Sequence, residues 1–146
     1  MPTVQMIERA AFEFRWSYDD FIRCLRCRNC IGMVAEHDEQ VVGFMIYELH
    51  KSRLHILNFA VDPRFARMGV GTAMIGKLVS KLRYERKNRI MLEVREANID
   101  AQLFFRSLGF RAISVLRGFY DDSAEDAYLM QYRVLASVAE AGQWNG

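Results

Sequence analysis

Two hydrophobic periods, one helical and one extended, divide the chain into elements. Thr3 to Phe12 is short and amphipathic, which predicts a first helix, and Phe14-Arg15-Trp16 follows as a loop. Ser17 with Asp20 reads S-x-x-D, a capping-box-like start for a helix running to about Arg28. Ile31 to Glu36 alternates as a strand, His37 to Gln40 is a polar turn, and Val41 to Leu49 is apolar and β-prone, so the two runs predict a hairpin. Arg53 to Val61 is a third strand, and its mostly apolar end, Leu57 to Val61, predicts burial on both faces. Asp62-Pro63 breaks it.

A long helical pattern runs from Thr72 to about Arg86, with Met74, Ile75, Leu78, Val79 and Leu82 on one face and a basic opposite face. Ile90 to Val94 is a short strand. Asn98 is an N-cap for a helix ending near Leu108, with Gly109 as its stop. Phe110 to Leu116 and Ala127 to Val134 read as strands around a polar loop. No repeat or linker interrupts the pattern. The order β-β-β-α-β-α-β-β predicts a single mixed α/β domain over residues 1–134, with 135–146 as a loose tail.

Composition narrows the class. Of 146 residues, 51% are apolar and 26% charged, a soluble globular profile that argues against disorder or a disulfide scaffold. No apolar run approaches the roughly 20 residues of a membrane span, and Met1 to Phe12 has no signal-peptide core. The chain is therefore read as cytoplasmic, with no membrane partner. A net charge of +2 is too small to predict nucleic-acid binding. The basic run from Lys77 to Arg89 reads as a solvated face, because no aromatics interleave with it as a stacking platform. Cys24, Cys27 and Cys30 are spaced C-x-x-C-x-x-C, but no fourth local thiolate completes an iron–sulfur pattern, and His37, His50 and His55 lie on other segments. The expectation is no metal, with Cys24 and Cys27 on a helix and Cys30 opening the next strand.

The most informative segment is a strand, then Asp62-Pro63, a basic loop, Gly69-x-Gly71 and a helix. A helix N-terminus carries unpaired N–H groups and partial positive charge, and glycines let an anion approach the backbone closely, so the turn predicts a phosphate site with Arg64 and Arg67 beside it. Gly71 to Lys77 reads G-x-x-x-x-G-K, but Leu78 stands where a P-loop needs Ser or Thr to hold magnesium. Met74 stands where a Rossmann pattern wants its third Gly or Ala, and an acidic ribose partner is missing. ATP and NAD are both disfavoured.

The stretches Asn58-Phe59-Ala60-Val61-Asp62-Pro63 and Arg67-Met68-Gly69-Val70-Gly71 resemble the GNAT superfamily of acetyl-CoA-dependent N-acetyltransferases, whose turn reads Q/R-x-x-G-x-G/A. Leu92-Glu93-Val94-Arg95, Asn98, Ala101 and Ser107-Leu108-Gly109-Phe110 match it too, so the likeness runs from about Leu54 to Phe110. Phe14-Arg15-Trp16-Ser17 and Arg117-Gly118-Phe119-Tyr120 are similar to the bacterial ribosomal-protein-alanine N-acetyltransferases (RimI type). The resemblance implies a mixed, splayed sheet flanked by helices, with pantetheine lying between two parallel strands. It also implies that backbone groups of Phe59, Ala60 and Val61 contact the acetyl and pantetheine part. Arg67, Met68, Gly69, Val70, Gly71 and Thr72 would hold the pyrophosphate, and Asn98 would contact the pantetheine end.

Acetyl transfer to nitrogen needs a neutral amine. An α-amine with a pKa near 8 is roughly a tenth neutral at pH 7, whereas a lysine near 10.4 is neutral about four times in ten thousand. A general base helps both. Glu93, in an otherwise apolar strand and at the position of the family's base, is the candidate, and burial there would raise its pKa. The bland alternative pairs it with Arg95 or another arginine. The RimI-type pattern has a tyrosine as general acid in the helix after Asn98, and here that position is Phe105, which has no proton to give. Tyr120 or a water could substitute, and a thiolate leaving group tolerates incomplete protonation. Ala66 is a second departure, where the family usually has Gln or Arg. The expected acceptor is a protein or peptide N-terminal α-amine, with a ribosomal protein as the specific candidate and Trp16 and Tyr120 lining the entrance. The alternatives are a small amine or lysine acceptor, a non-catalytic acyl-CoA-binding module, and a nucleic-acid binder.

Overall fold

The computed structural model describes residues 18–66, 68–84, 86–120 and 125–134. The expected helix over 3–12, Phe14, Trp16, the Ser17 cap, Arg67 and the tail 135–146 lie outside them. Helix α1 spans Tyr18–Arg26. Strands β1 (Cys30–His37) and β2 (Gln40–Leu49) follow as a hairpin. Asp38 and Glu39, at φ 50° and 64°, supply the two left-handed residues a tight hairpin turn requires. Strand β3 (Arg53–Val61) runs into a short 3-10 turn, Pro63–Phe65, and then α2 (Val70–Tyr84). Strand β4 (Arg89–Arg95), α3 (Ile99–Ser107), β5 (Arg111–Leu116) and β6 (Ala127–Arg133) complete the order.

The six strands form one sheet in the order β1-β2-β3-β4-β6-β5. Strands β3 and β4 are parallel and the other described pairs antiparallel. A core of Leu54, Ile56, Phe59, Ile75, Leu78, Leu82, Ile90, Leu92 and Phe105 fills the side of the sheet that α2 and α3 cover. Cys24, Phe44, Ile46 and Ala60 form a smaller cluster on the opposite face, where α1 packs. The apolar positions expected of α2 do face the core: Met74, Ile75, Leu78 and Leu82 are buried.

Both helices that follow the core strands stop by the same device. After α3, Gly109 adopts φ +99°, and Phe110 N–H reaches back to the Phe105 carbonyl at 3.0 Å. After α2, Arg86 takes the left-handed position at φ 59°, and Lys87 N–H bonds the Leu82 carbonyl at 2.8 Å. No glycine marks that second stop, which is why the sequence pattern places it slightly late.

Candidate active site

Strands β3 and β4 pair only at Arg53↔Arg89, Leu54↔Ile90 and His55↔Met91, and then part. Asp62 donates its backbone N–H to the Val42 carbonyl at 2.7 Å. Alternation along an antiparallel ladder therefore turns the backbone of Ala60 to β2 and leaves Phe59 and Val61 facing the gap. Across it, Glu96 N–H bonds Asp126 and Val134 N–H bonds Asn88, so Glu93 and Arg95 present their backbones to the gap from β4. The Arg95 carbonyl is taken by Asn98 N–H and Gln102 Nε2, both at 3.0 Å. An extended ligand laid between the strands would meet the outward backbone groups of Phe59, Val61 and Glu93.

The Gly69–Gly71 turn lies where β3 leaves the sheet. Gly69 has φ +81°, and its carbonyl accepts the first helical bond of α2, from Ala73 N–H at 3.0 Å. The N–H groups of Val70, Gly71 and Thr72 precede that bond and have no carbonyl within the helix to accept them. A Cβ on Gly71 would stand 3.1 Å from Phe104 Cζ and 3.4 Å from Phe59 Cζ, so glycine lets α2 sit against those rings. Met68, 60% exposed, stands at the rim. Arg64 does not face this turn as a spare cation. Its guanidinium binds the Asp62 carboxylate at 2.7 Å, and Arg64 holds the Asp62 carboxyl below the usual carboxylate range. Ala66 is exposed beside it.

Glu93 is held by a histidine. His55 Nε2 lies 3.0 and 2.9 Å from the two Glu93 oxygens, with both side chains mostly buried. Among the described residues no arginine pairs with Glu93, the alternative weighed from sequence. Arg95 bonds Glu125 at 3.1 Å instead, and its guanidinium carbon stands 3.9 Å from the centre of the Tyr120 ring. Tyr120 is 5% exposed, so it is fixed against the residue two positions along β4 from Glu93, on the same face. Nearby, Glu125 Oε2 accepts from Ala97 N–H, and the Asp126 carboxylate accepts from Gly118 N–H and Arg117. Asn98 caps α3, its Oδ1 accepting from Ala101 N–H at 3.0 Å. Phe105 lies in the aromatic core, 5.9 Å from Phe59, 5.0 Å from Phe104 and 5.2 Å from Phe110 between ring centres.

A parted parallel pair, a glycine turn and an acid on the inner strand are what the resemblance implied. The sequence signature of the Acetyltransferase (GNAT) family matches residues 1–110. The chain belongs to that family. An N-alpha-acetyltransferase of Sulfurisphaera tokodaii is 30% identical over 85% of this chain and 81% of its own length. The crystal structure of the ribosomal-protein-S18-alanine N-acetyltransferase of Escherichia coli superposes with a TM-score of 0.81 at 28% identity, over 91% of this chain and 86% of that one. The Ard1 structure from Thermoplasma volcanium gives 0.83 at 31% identity, covering 92% and 90%. The protein is thus a GNAT acetyltransferase, and its sheet is the mixed, splayed one expected.

Within this acetyltransferase, Cys24 lies on α1, Cys27 just beyond it, and Cys30 opens β1. The Cys24 and Cys30 sulfurs are 3.2 Å apart. Burial pushes both thiols up, Cys30 to about 12, so they stay protonated at neutral pH. Among the described residues no cluster of His, Cys, Asp or Glu suits a metal ion, and no helix is long and apolar enough to cross a membrane. Sequence reasoning missed His55 as the partner of Glu93. The available signal was a histidine in an otherwise apolar strand, and it was weighed only as a metal ligand.

Proposed function

We propose that the protein transfers the acetyl group of acetyl-CoA to the N-terminal α-amine of a protein or peptide. The observation that carries this reading is the carboxylate of Glu93, gripped by His55 beside the gap between β3 and β4. The relatives named for protein N-termini support that acceptor, and a ribosomal protein is the specific partner we favour.

The residues present suit acetyl-CoA. The outward amides of Phe59 and Val61 would pair with pantetheine, with Ala60 between them and Asn98 at its end. The amides of Gly69, Val70, Gly71 and Thr72, with Met68 and Arg67, would receive the pyrophosphate. Acetyl-CoA supplies an activated thioester. Glu93 accepts a proton from the acceptor amine, whose nitrogen forms the new C–N bond as the C–S bond breaks and the electron pair leaves on sulfur. His55 fixes the carboxylate so that one oxygen stays aimed at the amine. Tyr120, held by Arg95, is the proposed donor to the departing thiolate. The catalytic unit is residues 1–134, with 135–146 as a tail, and the free thiols suit a reducing cytoplasm.

The presence of phenylalanine at position 105 favours a second reading, acyl-CoA binding without turnover, against which the Glu93–His55 pair weighs. The test is incubation with acetyl-CoA and a peptide that begins with alanine and carries an internal lysine, followed by mass-spectrometric mapping. Acetyl on the α-amine is expected. Acetyl on lysine alone would move the acceptor to a side chain, and none on any amine would favour the binding module.

A further inference from the structure

Asn58 is 3% exposed in the middle of β3, and among the described residues neither its Nδ2 nor its Oδ1 has a hydrogen-bond partner. Two orphaned polar atoms on one buried side chain are costly, because both lose water and gain nothing. Such a group calls for a specific explanation, and a ligand that completes it is one.

The register shows which side it serves. Ile46 pairs with Asn58 and Tyr47 with Ile56, so Leu57 is an extra residue bulged from β3. Before the bulge Leu54 and Ile56 face the α2 core, and after it Phe59 and Val61 do. Position 58 of an unbulged strand would point into that core. The bulge turns Asn58 to the other face with Ala60, the face on which Glu93 and His55 meet. A chain laid along β3 from the Gly69 turn, over Val61 and Phe59, reaches Asn58 just before the strands close at His55↔Met91. That is the level of its reactive end.

We propose that the Asn58 carboxamide binds both reactants, its Nδ2 donating to the thioester carbonyl of acetyl-CoA and its Oδ1 accepting from the acceptor amine. This rests on the acetyl-transfer reading above. The two orphaned atoms ask for one acceptor and one donor. A thioester carbonyl only accepts. A neutral primary amine uses its lone pair on carbon, gives one N–H proton to Glu93, and has a second N–H to donate. Negative charge grows on the carbonyl oxygen during attack, and a donor already fixed there stabilises it.

The test compares wild type with Asn58→Leu, which keeps the shape without the polar atoms, and with Asn58→Ala. Affinities for acetyl-CoA and for CoA are measured by calorimetry, beside melting temperature and kcat on an N-terminal alanine peptide. We expect wild type to prefer acetyl-CoA over CoA and both variants to lose that preference while CoA binds as before. Asn58→Leu should melt at or above wild type, with kcat down by about 100-fold. A preference kept in either variant, or absent from wild type, overturns the proposal. So does a fall of more than about 5 °C in the melting temperature of Asn58→Leu with the preference intact, since that marks a structural side chain. The two readings fail separately. If no amine is acetylated yet Asn58 sets the preference, the acceptor reading and the amine half of this proposal fall and the thioester contact stands. Glu93-dependent turnover with the preference unchanged in the variants does the reverse.

Discussion

His55 Nε2 lies 2.9 and 3.0 Å from the two carboxylate oxygens of Glu93, across the last pairing that β3 and β4 share before they part. The contact ties the proposed base to the strand along which the proposed pantetheine would run. Glu93→Gln keeps the shape and removes the base, and is expected to lower kcat by roughly 10²–10⁴. His55→Ala frees the carboxylate to turn, with an expected loss of about 10-fold. Because one residue acts through the other, the double variant should be no slower than Glu93→Gln alone. Losses that multiply would show His55 acting independently.

Three glycines near the turn should behave differently. Gly69→Ala meets open space but must adopt φ +81°, an expected stability loss of about 1–2 kcal/mol. Gly71→Val pushes into the Phe59 and Phe104 rings and should cost about 1–3 kcal/mol. Both should raise the KM for acetyl-CoA and leave that for the peptide alone. Gly76 is mid-helix with nothing near its missing Cβ, so Gly76→Ala should add about 0.5–1 kcal/mol without touching either KM. Melting curves and steady-state kinetics on the three variants check the pattern.

The resemblance puts a tyrosine acid at position 105, where this chain has phenylalanine, and Tyr120 is the acid proposed in its place. Phe105→Tyr would put a hydroxyl on a ring packed against Phe59, Phe104 and Phe110, and should lower stability by about 1–3 kcal/mol without raising kcat. Tyr120→Phe keeps the ring under Arg95 and should lower kcat by about 10-fold. A faster Phe105→Tyr enzyme would return the acid to the helix, and an unchanged Tyr120→Phe enzyme would remove Tyr120 from the mechanism.

Two aspartates set an acid limb. The Gly118 N–H, and after it Arg117, hold the Asp126 carboxyl below its usual range, as the Arg64 side chain and N–H hold that of Asp62. A carboxyl lowered by folding contributes stability in full above its unfolded pKa of about 3.9, and that contribution is lost as pH falls from there through the folded value. Wild type should therefore melt higher than Asp126→Asn at neutral pH, and the gap should close as pH drops below about 4. A gap that persists under acid would mean the aspartate acts by shape alone.

The elements and the glycine turn were legible because each leaves a local mark. The α2 stripe shows as Met74, Ile75, Leu78 and Leu82, and α3 carries Asn98 at its cap and Gly109 at its stop. What was not legible depends on partners distant in sequence. The His55–Glu93 contact follows from the register of two strands joined through a helix, and nothing near either residue announces it. The Leu57 bulge reverses the facing of Asn58 with no glycine to mark it. Arg64 looked like a free cation because its tie to Asp62 depends on a 3-10 turn that the loop composition did not reveal.

The central claim is a Glu93-dependent acetyl transfer to an α-amine. Its most direct test is thiol release from acetyl-CoA with peptides beginning with alanine, serine or methionine, beside an N-terminally blocked lysine peptide and a polyamine, for wild type and Glu93→Gln. The account predicts turnover on a free N-terminus that falls at least 100-fold in the variant. Wild-type turnover that Glu93→Gln leaves within threefold, or that occurs only on the blocked lysine peptide or the polyamine, would contradict it.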